Sequence, residues 1–578
     1  MAYVGNTAGL CQAIVDNDLE EVQRWLAQGE IDVNRRDHTG RTPLHLACMT
    51  STPEIVQHLV DRGARLIARL ADGRTALHLA AARGSVEIVR ILLTKSEQNE
   101  EEESRKEDAQ KAARKVKDDA SENSDEEMVD VSSDEDSYAH SNTTGSFVKV
   151  KKEQDDEQAV APDDADELGP DIYDINVLAW DNKASPLHLA ILNGHVAVVD
   201  ELVTSFGADV LLPVKLVHSH SNSPRAAILT LVLAMRLPLD AAKAMTEKLL
   251  QVGASPAQAD INQTTALHYL AHYGRHELLD IYKQYDQPAV DRAINHLSTT
   301  GSYYGFSAVS PLTHAITAKD RTKVTKLLEM GAHPAISLED YLKAAKTLEY
   351  TLGNHPSVVD HEREFELNIL QPVILAIELD MPVVAAELLA RGVDPNTLTR
   401  DGYRVLRDEW SRNDTLGSSL LDYVQAKVTA LRKYKGEKVC AQKPIELDPD
   451  DSAYLQGLQE GTYKMWLARE SLRQKRERFA KEQKIYEDDV REKENGEGIA
   501  EKKAAIEALL ADYEKLETTL FSKGAKTFKQ LHPDIDYPLN NPRQSRPYRS
   551  PQLEPYKTHF GFHVKLCTDE IKEGYLQL

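Results

Sequence analysis

Two helical patterns alternate along most of the chain. Apolar residues spaced i, i+3, i+4 and i+7 mark one face of a helix. That spacing falls on Ile55, Val56, Leu59 and Val60, then on Val86, Val89, Leu92 and Leu93, then on Val196, Val199, Leu202 and Val203. The first two of these stretches each follow a shorter apolar run opened by threonine, Thr42-Pro43-Leu44-His45-Leu46-Ala47 and, 33 residues later, Thr75-Ala76-Leu77-His78-Leu79-Ala80. The run recurs as Ser185-Pro186-Leu187-His188-Leu189-Ala190 and as Thr265-Ala266-Leu267-His268. Weaker copies begin at Ser310 and Gln371, and Leu229 to Ala234 aligns as a degenerate one. Gly63, Gly331 and Gly392 each lie 21 residues after the start of their run, and Gly207 lies 22 after. A glycine there suits a left-handed cap ending the second helix. The predicted unit is a short helix, a turn, a second helix and a connecting loop.

This unit resembles the ankyrin repeat, a β-turn finger followed by an antiparallel helix pair. The resemblance runs from Asn6 to about Tyr434 and implies an all-α ankyrin-repeat solenoid. It also implies that Thr42, Thr75, Ser185 and Thr265 hydrogen-bond His45, His78, His188 and His268, fixing the start of each first helix. Later copies are looser: extra residues separate them around Asp286 to Gly305 and around Ile336 to Glu366, and a segment ending Ser418-Ser419-Leu420-Leu421-Asp422-Tyr423 is a candidate final, eroded copy.

Charge breaks the pattern once. The third run begins 110 residues after the second, one period plus 77. In between, Glu97 to Asp174 hold 27 acidic and 9 basic residues, net −18, against −24 for all 578 residues. With few apolar side chains to offset its ordering entropy, this stretch is expected to be a disordered insert. The expected organisation is therefore repeats over 1–95, a disordered acidic insert over 96–174, and further repeats over 175–435. A heptad-like track (Leu455, Leu458, Met465, Leu472, Phe479, Tyr486, Val490) and a second helical pattern (Ile506, Leu509, Tyr513, Leu516, Leu520) flank Glu494–Gly498. Together they predict a long helical hairpin over 450–525, coiled-coil-like yet too polar for a dimeric coiled coil to be preferred. An intramolecular brace is favoured there over self-association through 452–521. A proline-punctuated linker over 526–567 and the start of a further helix over 568–578, read as continuing in the natural protein, complete the expectation.

Composition narrows the function classes. The acidic balance argues against direct nucleic-acid binding, which needs a basic surface. Four scattered cysteines (Cys11, Cys48, Cys440, Cys567) form neither a disulfide framework nor a four-thiolate zinc site. There is no signal-peptide pattern, and the longest nearly pure apolar run, Ala226 to Met235, is half a membrane span. No phosphate loop, dinucleotide fingerprint or nucleophile elbow is present. His268, His272 and His276 share a helical spacing, but they read as structural histidines, so no metal and no cofactor is expected. The expected product is a non-enzymatic, cytoplasmic or nuclear protein that binds one or more other proteins.

Candidate partner-binding residues cluster in the predicted loops: Arg35, Arg36, Asp37, His38 and Arg41, then Arg69, Asp72 and Arg74, then Trp180 and Asp181. Arginine grips carboxylates in a bidentate fork, and an exposed tryptophan is a common interface anchor. The competing readings are plain solvation for the arginines and packing on the neighbouring loop for Trp180. Within the insert, Ser124, Ser132 and Ser133 have acidic residues at +3, an acidophilic-kinase pattern. Lys151 sits in an aliphatic-Lys-x-acid pattern of SUMO acceptors. Arg105-Lys106 and Arg114-Lys115-Val116-Lys117 loosely resemble a bipartite nuclear signal. The leading functional reading is an ankyrin scaffold or adaptor modulated by its insert. The alternative is a nuclear transcription or cell-cycle cofactor acting through a DNA-binding partner.

Overall fold

Proline or alanine follows a hydroxyl residue at the start of most first helices, and the structure shows why. Thr42, Thr75, Ser185 and Thr265 are extended N-caps, each closing a capping box with the histidine three residues on. Side-chain oxygen takes the place of the missing helical acceptor for the first free N–H groups. The structure, a computed structural model, describes residues 6–27, 31–37, 39–121, 169–180, 183–217, 224–302, 305–352, 361–407, 419–433, 472–473, 475–488 and 499–535. The chain divides into two units, Met1–Asp394 with Gly498–Leu516, and Pro395–Glu497 with Glu517–Leu578.

Within the first unit, helix pairs follow one another: α1 (Asn6–Val15) with α2 (Leu19–Ala27), α3 (Pro43–Thr50) with α4 (Pro53–Asp61), and α5 (Ala76–Arg83) with α6 (Val86–Ser121). Next come α7 (Pro186–Leu192) with α8 (Val196–Asp200), the latter extended by a π-helical turn over Glu201–Ser205, and α9 (Thr230–Ala234) with α10 (Leu239–Gln251). Then follow α11 (Ala266–Tyr273) with α12 (Glu277–Tyr285), a short α13 (Gln287–Ala293), α14 (Pro311–Thr317) with α15 (Arg321–Glu329), and α18 (Pro372–Glu378) with α19 (Pro382–Ala390). First helices stack in series, α1 on α3, α3 on α5, α5 on α7, α7 on α9, α9 on α11, α11 on α14 and α14 on α18. Leu44, Leu77, Leu187 and Leu267 sit at equivalent places and are at most 1% exposed. Gly63, Gly207, Gly331 and Gly392 all have positive φ, as a left-handed cap requires.

Basic side chains of one repeat close the helix ends of the previous one. Arg83 donates to the carbonyls of Ser51 and Cys48, and Arg62 to that of Leu26. Lys323, 3% exposed, donates to the carbonyl of Gly274 at 3.1 Å. These cations meet the C-terminal carbonyls where the helix dipole is negative.

The loosened spacing of the later copies is taken up by additional elements. Strands β1 (Val214–Val217) and β2 (Pro224–Ile228) form an antiparallel hairpin in one loop, and β3 (Ser298–Ser302) and β4 (Gly305–Val309) form another. Helices α16 (Leu338–Leu352) and α17 (His361–Asn368) fill the stretch around Ile336 to Glu366. They close a satellite core of Leu297, Ala308, Ile336, Tyr341 and Ile369, with Tyr341 edge-on to Phe365 at 5.4 Å.

The two ends of the insert are ordered, where its composition suggested disorder. Helix α6 does not stop at residue 95 but continues to Ser121. Alanine, glutamate, lysine and arginine are good helix formers without any core, and pairs such as Arg105–Glu101 and Lys106–Glu103 add support along the face. At the return end, residues 169–174 are docked rather than free. The Asp171 carboxylate accepts the Leu66 N–H at 2.9 Å and the Ile67 N–H at 3.0 Å, while Tyr173 Oη donates to the Leu66 carbonyl at 2.6 Å. Ser96 Oγ accepts the Tyr173 N–H, and Asn99 donates to the Asp171 carbonyl. Residues 122–168, with Ser124, Ser132, Ser133 and Lys151, lie outside the described residues. Asp171→Ala should leave two N–H groups without their ionic acceptor, costing about 1–3 kcal/mol. Its calorimetric unfolding midpoint is expected to fall by some degrees, whereas replacing 122–168 by a Gly-Ser linker long enough to return from Ser121 to Gly169 leaves the midpoint unchanged.

The second unit contains α20 (Arg400–Leu406), α21 (Leu420–Lys433), a helix over 475–488 and the short helix Phe528–Leu531, which lies inside the expected linker. The helix Ile499–Ser522 begins in the first unit and ends in the second. In the first unit, its fully buried Tyr513 donates its hydroxyl to the Ile377 carbonyl, with Asp380 Oδ1 also at 3.0 Å. The second arm of the expected hairpin thus braces the repeats. Residues 434–471 with Leu455, Leu458 and Met465 of the expected first arm, residues 489–498, and residues 536–578 lie outside the described residues. No helix among the described residues is long and apolar enough to cross a membrane.

Candidate protein-interaction surface

Four of the connecting loops fold back as fingers closed by a backbone pair just before the N-cap. Asp37 N–H reaches the Arg41 carbonyl, Leu70 N–H that of Arg74, Ala179 N–H that of Ala184, and Asp260 N–H that of Thr264. Short aspartates tie the turns from inside. Asp37 Oδ1 accepts from Thr39 N–H and Arg41 N–H, Asp72 Oδ1 from Arg74 N–H, and Asp260 Oδ1 from Asn262 N–H and Thr264 N–H. Burial raises the Asp260 carboxyl, which also receives the Tyr269 hydroxyl.

Adjacent fingers are stitched by arginine. Arg36 donates to the carbonyl of Gly40 in its own finger and to that of Arg69 in the next, at 2.9 and 2.6 Å. Arg69 repeats the arrangement 33 residues on, donating to Gly73 at 3.0 Å and to Leu178 at 3.1 Å. Arg74 pairs with Asp72 at 2.6 Å. Most of the arginine cluster is therefore framework: Arg36, Arg69 and Arg74, with Asp37 and Asp72, shape the fingers. Arg35 is exposed and Arg41 half-buried. His38 and Asp181 lie outside the described residues.

Trp180 is both framework and surface. Its N–H donates to the Asp72 carbonyl at 2.9 Å, and the Arg69 guanidinium stands 5.5 Å from the ring centroid. A Cβ on Gly73 would come within 2.4 Å of Trp180 Cγ, so only glycine, here at φ +79°, lets the indole lie against the preceding finger. The indole nevertheless remains 41% exposed. Ile261, in the turn position equivalent to Trp180 and Ala71, is 45% exposed, and Leu211, at the base of the finger that carries β1 and β2, is 42% exposed. Sequence reasoning passed over these two. The available signal was an aliphatic residue in a turn flanked by Asp260 and Asn262, where polar residues are the rule.

The motif histidines are wholly interior. The Thr42, Thr75, Ser185 and Thr265 N–H groups donate to Nδ1 of His45, His78, His188 and His268. Nδ1 being an acceptor, Nε2 carries the proton and faces a carbonyl of the following finger. The partners are Ala68 at 3.0 Å, Ala184 at 3.2 Å, Leu212 at 2.7 Å and Val309 at 3.2 Å. Burial holds these imidazoles neutral, lowering His45 and His188 to about 4 and His78 to about 3, and pushing His268 well below its ordinary value. With both nitrogens of His268 committed, it has no lone pair for a metal. Among the described residues no group of three or more histidines, cysteines or carboxylates is placed to hold a metal ion.

Comparison with known proteins agrees with this geometry. Family models for ankyrin repeats match residues 10–103, in three copies, and residues 182–214. Protein phosphatase 1 regulatory subunit 27 of Mus musculus is 40% identical over 57 residues, 10% of this chain and 36% of that protein. The Homo sapiens protein of the same name is 39% identical over 57 residues. The chain thus spans about a third of the length of these curated relatives. Among solved structures, the ankyrin repeat domain of Bcl-3, described as a unique member of the IkappaB protein family, is 20% identical. That match covers 56% of this chain and 97% of the other, at a TM-score of 0.34.

Proposed function

We propose that this chain, built of ankyrin repeats, is a non-catalytic scaffold that recognises protein partners through its fingers. The observation carrying the reading is the exposed outer face of Trp180, held in place by Gly73, Arg69 and the Asp72 carbonyl. An anchor that is rigid before binding loses little side-chain entropy on binding. Tryptophan and arginine are over-represented among residues that dominate interface energy. Ile261 and Leu211 add apolar contact, and Arg35 adds a charge able to pair with a partner's carboxylate. The proposal includes modulation by the acidic insert and residence in the cytoplasm or nucleus. Phosphate on Ser124, Ser132 or Ser133 would add roughly −1.5 to −2 charges each to a segment anchored through Asp171 beside the second finger.

The test is proximity labelling by the full chain in its own cells, comparing wild type with Trp180→Ala and with Ile261→Asp. Proteins enriched by wild type should be depleted at least tenfold by one or both variants while the unfolding midpoints stay within a few degrees. An unchanged labelled set in both variants would remove the fingers from the reading.

A further inference from the structure

We infer that residues 434–498 are an insertion between the two helices of one further repeat, whose first helix is α21 and whose second is Ile499–Ser522. Residues of the second unit match the intact repeats position by position.

The end of the second helix comes first. In intact repeats the residue after the capping glycine donates its N–H back to a leucine carbonyl: Ala64 to Leu59 at 3.0 Å, Ala254 to Leu249 at 2.9 Å, Ala332 to Leu327 at 2.9 Å. Ala525 donates to Leu520 at 3.0 Å, after Gly524 at φ +78°. One residue further, an asparagine of the previous finger accepts an N–H. Asn34 Oδ1 accepts Arg65 N–H at 2.7 Å, Asn176 accepts Asp209 at 2.9 Å, and Asn295 accepts His333 at 2.7 Å. In each case the donor is two residues beyond the glycine. Lys526, two beyond Gly524, donates to Asn396 Oδ1 at 2.9 Å.

The first helix matches as well. Ser419 pairs with Leu398 as Thr75 pairs with Arg69 and Thr265 with Ala259, placing it at the N-cap. Three residues on, in the histidine position, stands Asp422. Its Oδ2 accepts the Ser419 N–H at 3.2 Å, as the histidine Nδ1 accepts the threonine N–H elsewhere. A carboxylate cannot then donate forward to a carbonyl, and the polarity of the link reverses. Asp422 Oδ2 accepts the Phe528 N–H at 2.7 Å, while the Ser419 hydroxyl is shared between Asp422 Oδ2 at 2.8 Å and the Lys526 carbonyl at 3.1 Å. The link between first helix and following finger is kept with donor and acceptor exchanged. Gln425 of α21 also donates to Glu517 of the second helix. The expected hairpin over 450–525 is therefore divided. Its second helix is a repeat helix with its apolar face already used, and only 434–498 remains as an excursion.

Two measurements on the full chain test this. The first removes 442–492 and joins the ends through Gly-Ser. Hydrogen exchange over 420–433 and 517–531 is expected to stay as slow as in the intact chain, with an unchanged oligomeric state. Loss of protection in both segments while the remaining repeats stay protected would show that the two helices need the excursion, overturning the inference. The second compares Asp422→Ala with Asp422→His in the intact chain. Asp422→Ala should accelerate exchange at the Phe528 amide at least tenfold, and Asp422→His, which loses that acceptor, should do the same while keeping protection over 420–433. An unaltered Phe528 amide in both variants would equally overturn it.

Discussion

Replacing Leu77 by alanine is expected to cost about 2–5 kcal/mol of stability, toward the upper end of that range. Leu77 is 0% exposed, and its helix α5 is packed between α3 on one side and α7 on the other. A site held by helices on both flanks collapses little, so most of the lost volume persists as a cavity. Urea unfolding followed by circular dichroism reads the effect as a lower midpoint. Leu211→Ala, at a side chain 42% exposed, is the control and should move the midpoint by much less. A Leu77 variant as stable as the parent would mean that α5 does not bury this face.

Acid should weaken the repeats well before the carboxylates titrate. An unfolded histidine binds its proton near pH 6.5, whereas burial lowers His45 and His188 to about 4 and His78 to about 3. Between those values the unfolded chain binds more protons than the folded one, so stability rises with pH across the window and falls as pH drops through it. Above pH 6.5 the contribution is fully present. Each histidine loses about 1.4 kcal/mol per pH unit below that, or about 2 kcal/mol by pH 5. Protonation at Nδ1 would also turn the cap acceptor into a donor facing an N–H. The check is a series of urea midpoints from pH 7.5 to 4.5. A flat profile between pH 7 and 5 would contradict the neutral, doubly bonded imidazoles.

The repeats were legible because one set of bonds needs one set of residue types. A threonine or serine cap and a histidine three residues on recur wherever the same cap and the same bridge to the next finger are built. What stayed hidden has no residue-level signature. The targets of Arg36 and Arg69 are backbone carbonyls, which every residue carries, so the arginines could be seen and their purpose could not. Disorder was expected over 96–121, where α6 is helical, because a shortage of apolar residues argues against a core and says nothing about a helix stabilised by its own charges. Asp171 and Tyr173 looked like the tail of an acidic run, while their acceptor and donor groups lie about a hundred residues away in the second finger. The hairpin of β1 and β2 occupies a finger whose Leu211 and Leu212 gave no turn signal. Distance in sequence concealed the rest: Gly524 follows Ser419 by 105 residues, where the repeating interval is 21.

The imidazole bridges bear on how the molecule comes apart. In a linear stack each repeat is coupled only to its neighbours, as in a one-dimensional chain of two-state elements. A boundary between folded and unfolded segments then has a cost set by the junction where it falls. At the junctions bridged by His45, His78, His188 and His268, the boundary breaks a buried hydrogen bond as well as apolar packing. Helix α1 has no histidine, and Val232, Thr313 and Ile374 occupy the histidine position in three later copies, so none of these supplies an imidazole to break. Partly unfolded forms therefore place their boundaries after α2, after α10, after α15 or after α19. The bridges of His45, His78 and His188 follow one another from α3 to α10, so those four helix pairs tend to open as one block, and the pairs beyond α14 open in smaller pieces.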